Sequence, residues 1–270
     1  MSEYKLGVIG AGKMAEAVLR GAVGNGFLPG AEITAFDPEP SRKKLLEKDP
    51  GIVFAENNHI PAACPHLLLA VKPDVAPGVL EEIASTVSEN TAVISIVAGL
   101  SGKTIDEKLG GKTRIVRVMP NTPMLVRAGV SAVSAGPRAV DGDIKWTCNL
   151  LESGGRTVVV DETLMDAVTG LSGSGPAYFF YMVEAMVAAG TSEGIDPETA
   201  RTLAVQTCIG AGKLLAETGK SPEVLREQVT TPGGTTQKGI ETMEAADVGK
   251  SITAAVRAAA ERSRELGITC

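Results

Sequence analysis

The stretch Lys5-Leu-Gly-Val-Ile9 runs straight into Gly10-Ala-Gly12-Lys-Met-Ala15, and nothing else in the chain narrows the possible folds as far. The apolar run reads as a short buried strand. Val18, Leu19 and Ala22 then recur at helical spacing. Strand, glycine turn of the form G-x-G-x-x-A, and helix together open a dinucleotide-binding βαβ unit. Gly10 permits the tight turn, Gly12 lets the backbone approach a pyrophosphate, and Ala15 lets helix and strand pack closely. Glu32-Ile-Thr-Ala-Phe36 reads as the second strand. It ends in Asp37, about 20 residues past the turn, where such units place the carboxylate that meets an adenosine ribose.

Further strands follow at the intervals a βαβ series needs. Leu67–Val71 is continuously apolar, as expected of a strand covered on both faces, and Lys72-Pro73 takes the chain out of the sheet. Strands are predicted at Ala92–Ile96, Ile115–Val118, Val130–Val133 and Thr157–Val160, with helices at Val79–Val87, Ile105–Leu109 and Ile144–Leu151. The turns Gly10, Asp37, Lys72-Pro73, Ala98-Gly99 and Pro120-Asn121 should then line one edge of the sheet, where open α/β sheets bind ligands.

From about Asp161 no strand is evident and helical periodicity takes over. The predicted architecture is α/β: a Rossmann-type dinucleotide-binding domain over 1–162, then an all-α dimerisation and substrate domain over 163–270. Ser172-Gly-Ser-Gly-Pro176 breaks the chain before Ala177–Ala189, a helix apolar on nearly every face whose one charge is Glu184. A helix of that kind must be buried all round, and about 110 residues are few to bury it, so a partner subunit is expected to cover part. Asp196-Pro197 and Ser221-Pro222 are helix starts. The last helix carries a stripe of Ile252, Val256, Ala259, Ser263 and Leu266, with Arg257, Glu261, Arg264 and Glu265 on its solvated side.

The balance of charge excludes other classes. A net charge of −6 with no basic stripe, and an aromatic content of only 3%, argue against nucleic acid. Cys64, Cys148, Cys208 and Cys270 are scattered, and His59 and His66 are the only histidines, so no metal-ligand spacing exists. Unpaired thiols, the absence of a signal peptide after Met1 and the absence of a membrane-length apolar run make a soluble cytoplasmic protein the expectation.

Val229-Thr-Thr-Pro-Gly-Gly-Thr-Thr-Gln-Lys-Gly239 holds the second functional signal. Gly233 and Gly234 can bring successive N–H groups together, and a helix starting near Thr235 or Thr236 adds its unpaired N–H groups and positive dipole end. Such a corner suits a carboxylate or phosphate. A Pro-Gly-Gly turn before a Thr-capped helix is the plain alternative. Lys238 is the only ionisable residue between Thr230 and Gly239. Hydride transfer to an already electrophilic, protonated C=N bond needs no strong acid, so a small anionic imine fits this site.

With Ile9-Gly-Ala-Gly12, Met14, Ala70-Val-Lys-Pro73, Met119-Pro-Asn-Thr-Pro123 and Val168-Thr-Gly-Leu-Ser-Gly-Ser-Gly-Pro-Ala177, the chain resembles the pyrroline-5-carboxylate reductases from end to end. Their C-terminal pattern is met by Pro222, Leu225, Val229-Thr-Thr231, Gly233-Gly234, Thr236, Gly239-Ile240, Met243 and Glu244. The resemblance implies NADPH- or NADH-dependent reduction of 1-pyrroline-5-carboxylate to L-proline, the last step of proline biosynthesis. It implies that Thr236 is the catalytic threonine facing the ring nitrogen, with Thr231, Gly233, Gly234, Thr235 and Ser174 around the substrate. It places Gly10, Ala11, Gly12, Lys13 and Met14, after Ile9, at the pyrophosphate; Asp37 at the adenosine; and Asn57 and Ala70, Val71, Lys72 and Pro73 along the adenosine and nicotinamide side. Val97, Ala98, Gly99 and Asn121 fall near the nicotinamide. It also implies a homodimer that shares active sites and can assemble further, into decamers.

Many relatives carry Ser or Thr where this chain has Asp37. A carboxylate there repels a 2′-phosphate and favours a ribose diol, while Ser41, Arg42 and Lys43 can partly offset it. The expectation is no strong NADPH preference, with a tilt to NADH. A β-hydroxyacid dehydrogenase would need a lysine in the first long helix of the second domain, and residues 163–190 contain none. A non-catalytic NAD(P)-binding regulator would have no use for the Gly233–Thr236 clamp.

Overall fold

The computed structural model describes residues 3–48 and 50–269, with side chains through 267. Met1 and Cys270, the outer limits of the two expected domains, lie outside the described residues. In chain order the elements are β1 (Leu6–Ile9), α1 (Lys13–Gly24), β2 (Ile33–Phe36), α2 (Pro40–Lys48), β3 (Val53–Phe54), α3 (His59–Ala62), β4 (His66–Leu69), α4 (Ala76–Ile83), β5 (Ala92–Ser95) and α5 (Gly102–Lys108). β6 (Arg114–Met119), β7 (Gly129–Ala135), α6 (Asp141–Leu151), β8 (Gly155–Val159) and α7 (Met165–Val168) follow. The remainder is helical: α8 (Gly175–Ser192), α9 (Pro197–Thr218), α10 (Pro222–Gln228), α11 (Thr235–Ala245) and α12 (Val248–Thr269).

The eight strands form one sheet in the order β3-β2-β1-β4-β5-β6-β7-β8. Only β6 and β7 pair antiparallel, and the other pairs are parallel. The order reverses between β1 and β4, which is the switch point of a doubly wound fold. The predicted strands are all present, so the α/β architecture holds.

Alternation along the strands builds two cores, one on each face. Leu6, Val8, Leu68, Ile94 and Val116 join α1's Ala15, Val18 and Leu19 and α6's Leu150. Ile9, Leu67, Leu69, Val93 and Ile115 pack with Val79, Leu80 and Ile83 of α4 and Ile105 of α5. Truncating one such fully buried leucine to alanine costs about 2–5 kcal/mol. β7 turns back on β6 across a short connection built around a 3₁₀ segment, Thr122–Val126. The side chain of Asn121 holds that reversal by accepting from the Val130 N–H at 2.9 Å.

The chain divides into two compact units. One runs to Ser174 and takes in the end of α12 from Ala258; the other is Gly175–Arg257. In the first, Ser263 is buried and donates to Asp166 at 2.6 Å, which accounts for a hydroxyl inside an apolar stripe. In the second, α8 packs on α9 yet leaves Phe179, Phe180, Tyr181 and Met186 exposed, Tyr181 to 75%. Among the described residues no helix is long and apolar enough to cross a membrane.

His66, the first residue of β4, stacks on Trp146 of α6 with ring centroids 3.7 Å apart and planes 3° from parallel. Phe27 meets the same indole edge-on at 5.3 Å. Burial holds the His66 pKa below the ordinary histidine value, against the pull of a backbone hydrogen bond to Lys5 and of the Asp143 carboxylate. The neutral ring is therefore the folded form. Its stabilising contribution is complete above the unfolded value of about 6.5 and is lost as pH falls towards the lower folded value. Thermal melting should show the wild-type Tm falling between about pH 7 and pH 5 more steeply than that of His66→Phe, which keeps the stack but cannot protonate. Parallel Tm curves for the two proteins would show that His66 does not couple stability to pH.

Candidate active site

At the switch point the β1–α1 turn meets the β4–α4 turn. Ala70 N–H donates to the Ile9 carbonyl at 2.8 Å, and Gly10 N–H to the Phe36 carbonyl at 2.9 Å. Gly10 has φ +88°, and a Cβ there would lie 2.7 Å from the Ala70 carbonyl oxygen, so only glycine fits. Gly12 is the N-cap of α1, extended and without a side-chain cap, and a Cβ on it would meet nothing within 4 Å. The first helical bond runs from Glu16 N–H to the Gly12 carbonyl at 2.9 Å. The N–H groups of Lys13, Met14 and Ala15 therefore precede it, beside open space. Lys13 is exposed and Met14 half-buried.

Asp37 closes this turn from β2. Its Oδ2 accepts from Ala11 N–H at 2.6 Å and its Oδ1 from Glu39 N–H at 2.9 Å. Arg42, on α2, holds the other side of the same residue: its Nε donates to the Ala11 carbonyl at 2.5 Å and its Nη2 to Glu16 at 2.7 Å. Glu16 also binds Arg20 at 2.8 Å. Burial would push the Glu16 pKa up, but the hydrogen bonds from Arg20 and Arg42 bring it below the ordinary value. The sequence marks Asp37 but not this use of Glu16 and Arg42, which depends on the path of a long side chain.

Other positions from the sequence lie on the same sheet edge. Ala70, Val71, Lys72 and Pro73 follow β4, and Val97, Ala98 and Gly99 follow β5, with Val97 N–H on Ser95 Oγ at 3.3 Å. Gly99 abuts Gly267 near the end of α12, where a Cβ on either glycine would strike the other's backbone. Asn57, just ahead of α3, is exposed and accepts from His59 N–H at 3.0 Å. Asn121 is buried and fully engaged within the chain, since its Nδ2 also donates to the Ser172 carbonyl at 3.2 Å. Its side chain thus braces the strand end. Ser174 ends a π-helical turn, its N–H on the Thr169 carbonyl at 2.8 Å.

The glycine corner belongs to the second unit. After α10, Thr230 is tied back to Arg226 and Glu227 by its hydroxyl and N–H, at 2.7 and 3.0 Å. Gly233 takes φ +71° and sends its N–H to Gln237 Oε1 at 2.6 Å, while Gly234 N–H goes to the Thr231 carbonyl at 2.9 Å. Both glycine N–H groups are therefore used in shaping the turn. Gly234 is the N-cap of α11, and no threonine caps it. The first helical bond is Lys238 N–H to the Gly234 carbonyl at 3.3 Å, so the unpaired donors are those of Thr235, Thr236 and Gln237. Thr231, Thr235 and Thr236 are exposed, and Lys238 pairs with Glu241 at 3.7 Å. Gln237 is the residue sequence reasoning missed here: it fixes Gly233 and is itself held by Glu241 at 2.9 Å. By contrast, α5, α9 and α10 are capped by Ser101, Asp196 and Ser221. The helices that begin on an uncapped glycine, α1 and α11, are the two the sequence assigns to anions.

Known proteins match along the whole chain. Residues 162–266 match the family model described as pyrroline-5-carboxylate reductase dimerisation, and residues 5–99 match that described as NADP oxidoreductase coenzyme F420-dependent. Pyrroline-5-carboxylate reductase of Methanosarcina acetivorans is 41% identical, with 99% of each chain covered. That of Arabidopsis thaliana is 40% identical over 97% of this chain and 95% of its own. Among solved structures, the Coxiella burnetii pyrroline-5-carboxylate reductase superposes with a TM-score of 0.90 at 32% identity, covering 98% of this chain and 99% of its own. The Plasmodium falciparum pyrroline carboxylate reductase, solved with NADP bound, gives 0.88 at 29% identity, covering 99% of each. The fold, the fingerprint and the glycine corner thus have one common explanation: this chain belongs to the pyrroline-5-carboxylate reductase family.

Proposed function

We propose that the chain catalyses NAD(P)H-dependent reduction of the C=N bond of 1-pyrroline-5-carboxylate to L-proline, the last step of proline biosynthesis. The observation that carries this reading is the start of α11 on Gly234 with no side-chain cap, which leaves main-chain donors and threonine hydroxyls together in a first turn that carries no acidic residue. Open space over Gly12, at an equally uncapped helix start, fits the pyrophosphate of a dinucleotide. When bound, the reduced nicotinamide supplies the hydride.

The chain's own residues hold and orient. Thr235 and Thr236 N–H groups, with Thr231 beside them, would grip the substrate carboxylate; Gly233 and Gly234 set their direction, and Ser174 adds a hydroxyl. Thr236 is assigned as the residue whose hydroxyl meets the ring nitrogen. A protonated imine becomes a neutral secondary amine on taking hydride at carbon, so no proton need come from the protein in that step. Ile9, Gly10, Ala11, Gly12, Lys13, Met14, Asp37, Asn57, Ala70–Pro73, Val97–Gly99 and Asn121 are assigned to the dinucleotide. Residues 1–162 would carry the cofactor and 163–270 the substrate and the dimer contact. The exposed aromatic face of α8 supports a homodimer. In that dimer one subunit's glycine corner would serve its partner's cofactor, and dimers would assemble further, up to a decamer. A cytoplasmic setting, without membrane or nucleic-acid partners, agrees with the charge and cysteine pattern.

Two substitutions test these roles. Thr236→Ala should lower kcat/KM by the equivalent of about 1–3 kcal/mol while cofactor affinity stays near wild type. Steady-state kinetics showing unchanged turnover would reduce Thr236 to a helix residue. Gly12→Val should melt at nearly the wild-type temperature, because its side chain enters open space, yet lose dinucleotide binding in calorimetric titration. Retained binding would remove the pyrophosphate from the α1 start.

A further inference from the structure

We propose that this chain selects NADH over NADPH, and that Asp37 and Glu16 are the residues that decide it. The inference rests on the nucleotide-site reading above. Sequence alone leaves the choice nearly balanced, because Arg42 and Lys43 follow Asp37 closely and guanidinium is the side chain best suited to grip a phosphate.

In the folded chain Arg42 is already committed. Its Nε serves the Ala11 carbonyl at 2.5 Å, its Nη2 serves Glu16 at 2.7 Å, and its side chain is only 19% exposed. Glu16 is fixed from its other oxygen by Arg20 at 2.8 Å. Lys43 leans along α2 towards Glu47 at 3.8 Å. Swinging Arg42 outward to neutralise a 2′-phosphate would leave the half-buried Glu16 and the Ala11 carbonyl each short of a donor.

Asp37 stands differently towards the two cofactors. Each of its oxygens accepts one main-chain N–H, from Ala11 and from Glu39, and each retains a second acceptor site. A ribose diol has hydroxyl protons to give to those sites. A phosphate monoester, largely dianionic near neutral pH, has none, and it adds its charge to that of Asp37, Glu39 and Glu16. The contact that holds NADH therefore opposes NADPH, while the arginine that would compensate is held by Glu16 beneath the loop.

The test is isothermal titration calorimetry of NADH and NADPH into substrate-free wild-type enzyme, Asp37→Ser and Glu16→Gln at low ionic strength. Wild type should bind NADH tighter than NADPH by about tenfold or more. Asp37→Ser should bring the two affinities within about threefold of each other. Glu16→Gln should narrow the gap in the same direction by loosening Arg42. NADPH binding as tight as NADH in wild type, or a ratio that Asp37→Ser leaves unchanged, overturns the proposal. A ratio unmoved by Glu16→Gln removes Glu16 from it. Failure of wild type to bind either nucleotide would instead sink the nucleotide-site reading beneath it.

Discussion

The close approach of Gly10 to the Ala70 carbonyl, where two neighbouring strand ends part in opposite directions, is the contact on which the nucleotide-side turns of the first unit depend. β1 and β4 lie side by side in parallel register, with Leu6 opposite His66 and Ile9 opposite Leu69. The chain leaves β1 towards β2 and leaves β4 towards β5, so a crevice opens between the turns. Its depth is set by Gly10, whose missing side chain lets the turn sit against the Ala70 carbonyl. A larger residue there would push the start of α1 away from β4. It would also take Ala11, and with it the Asp37 and Arg42 hydrogen bonds, out of register. One close backbone approach thus positions the helix start, the acidic strand end and the arginine behind it.

The chain uses the same physical device in both units. Most helices in globular proteins begin on a side chain that satisfies an orphan N–H, as Ser101, Asp196 and Ser221 do here. Starting α1 and α11 on glycine forgoes a side-chain cap at each, at a cost of only about a few tenths of a kcal/mol. In exchange, main-chain donors and the helix dipole stay free for an anion from outside. Local stability given up in this way is expected at functional positions. In both cases side chains brace the turn rather than the donors: Asp37 and Arg42 at Ala11, and Gln237, from the first turn of α11 itself, at Gly233.

What could be read from the sequence follows from how each feature is built. The buried strands were legible because continuous apolar runs such as Leu67-Leu-Leu have few other fates, although β4 begins at His66 and ends at Leu69, before Ala70-Val71. β3 was not, being two residues at the sheet edge, and α2 was not, because only Leu46 of its nine residues is buried and its charged surface hides any period. The Asn121 bond to Val130 that braces the reversal of β7 leaves no trace in periodicity. In the site, Gly10, Gly12 and Asp37 stood out by spacing, since backbone geometry ties sequence distance to space there. Glu16 and Gln237 did not, and Arg42 was read only as a candidate phosphate partner, because a flexible side chain can serve several partners. For the same reason the stripe expected on α12 holds only in part: Ser263 is buried and bonded to Asp166 across the sequence, beside a buried Ala260 that the stripe omits, while Ile252 is exposed.

On the proposed function, the N-terminus of α11 grips the imino acid by its carboxylate and so presents the C=N bond to hydride. A crystal structure of the enzyme with NAD⁺ and L-proline tests it most directly. The proline carboxylate should lie within hydrogen-bonding distance of the Thr235 and Thr236 N–H groups, with the ring nitrogen beside Thr236 Oγ1 and the adjoining ring carbon facing the nicotinamide. Proline bound elsewhere, with water on those N–H groups, would contradict it.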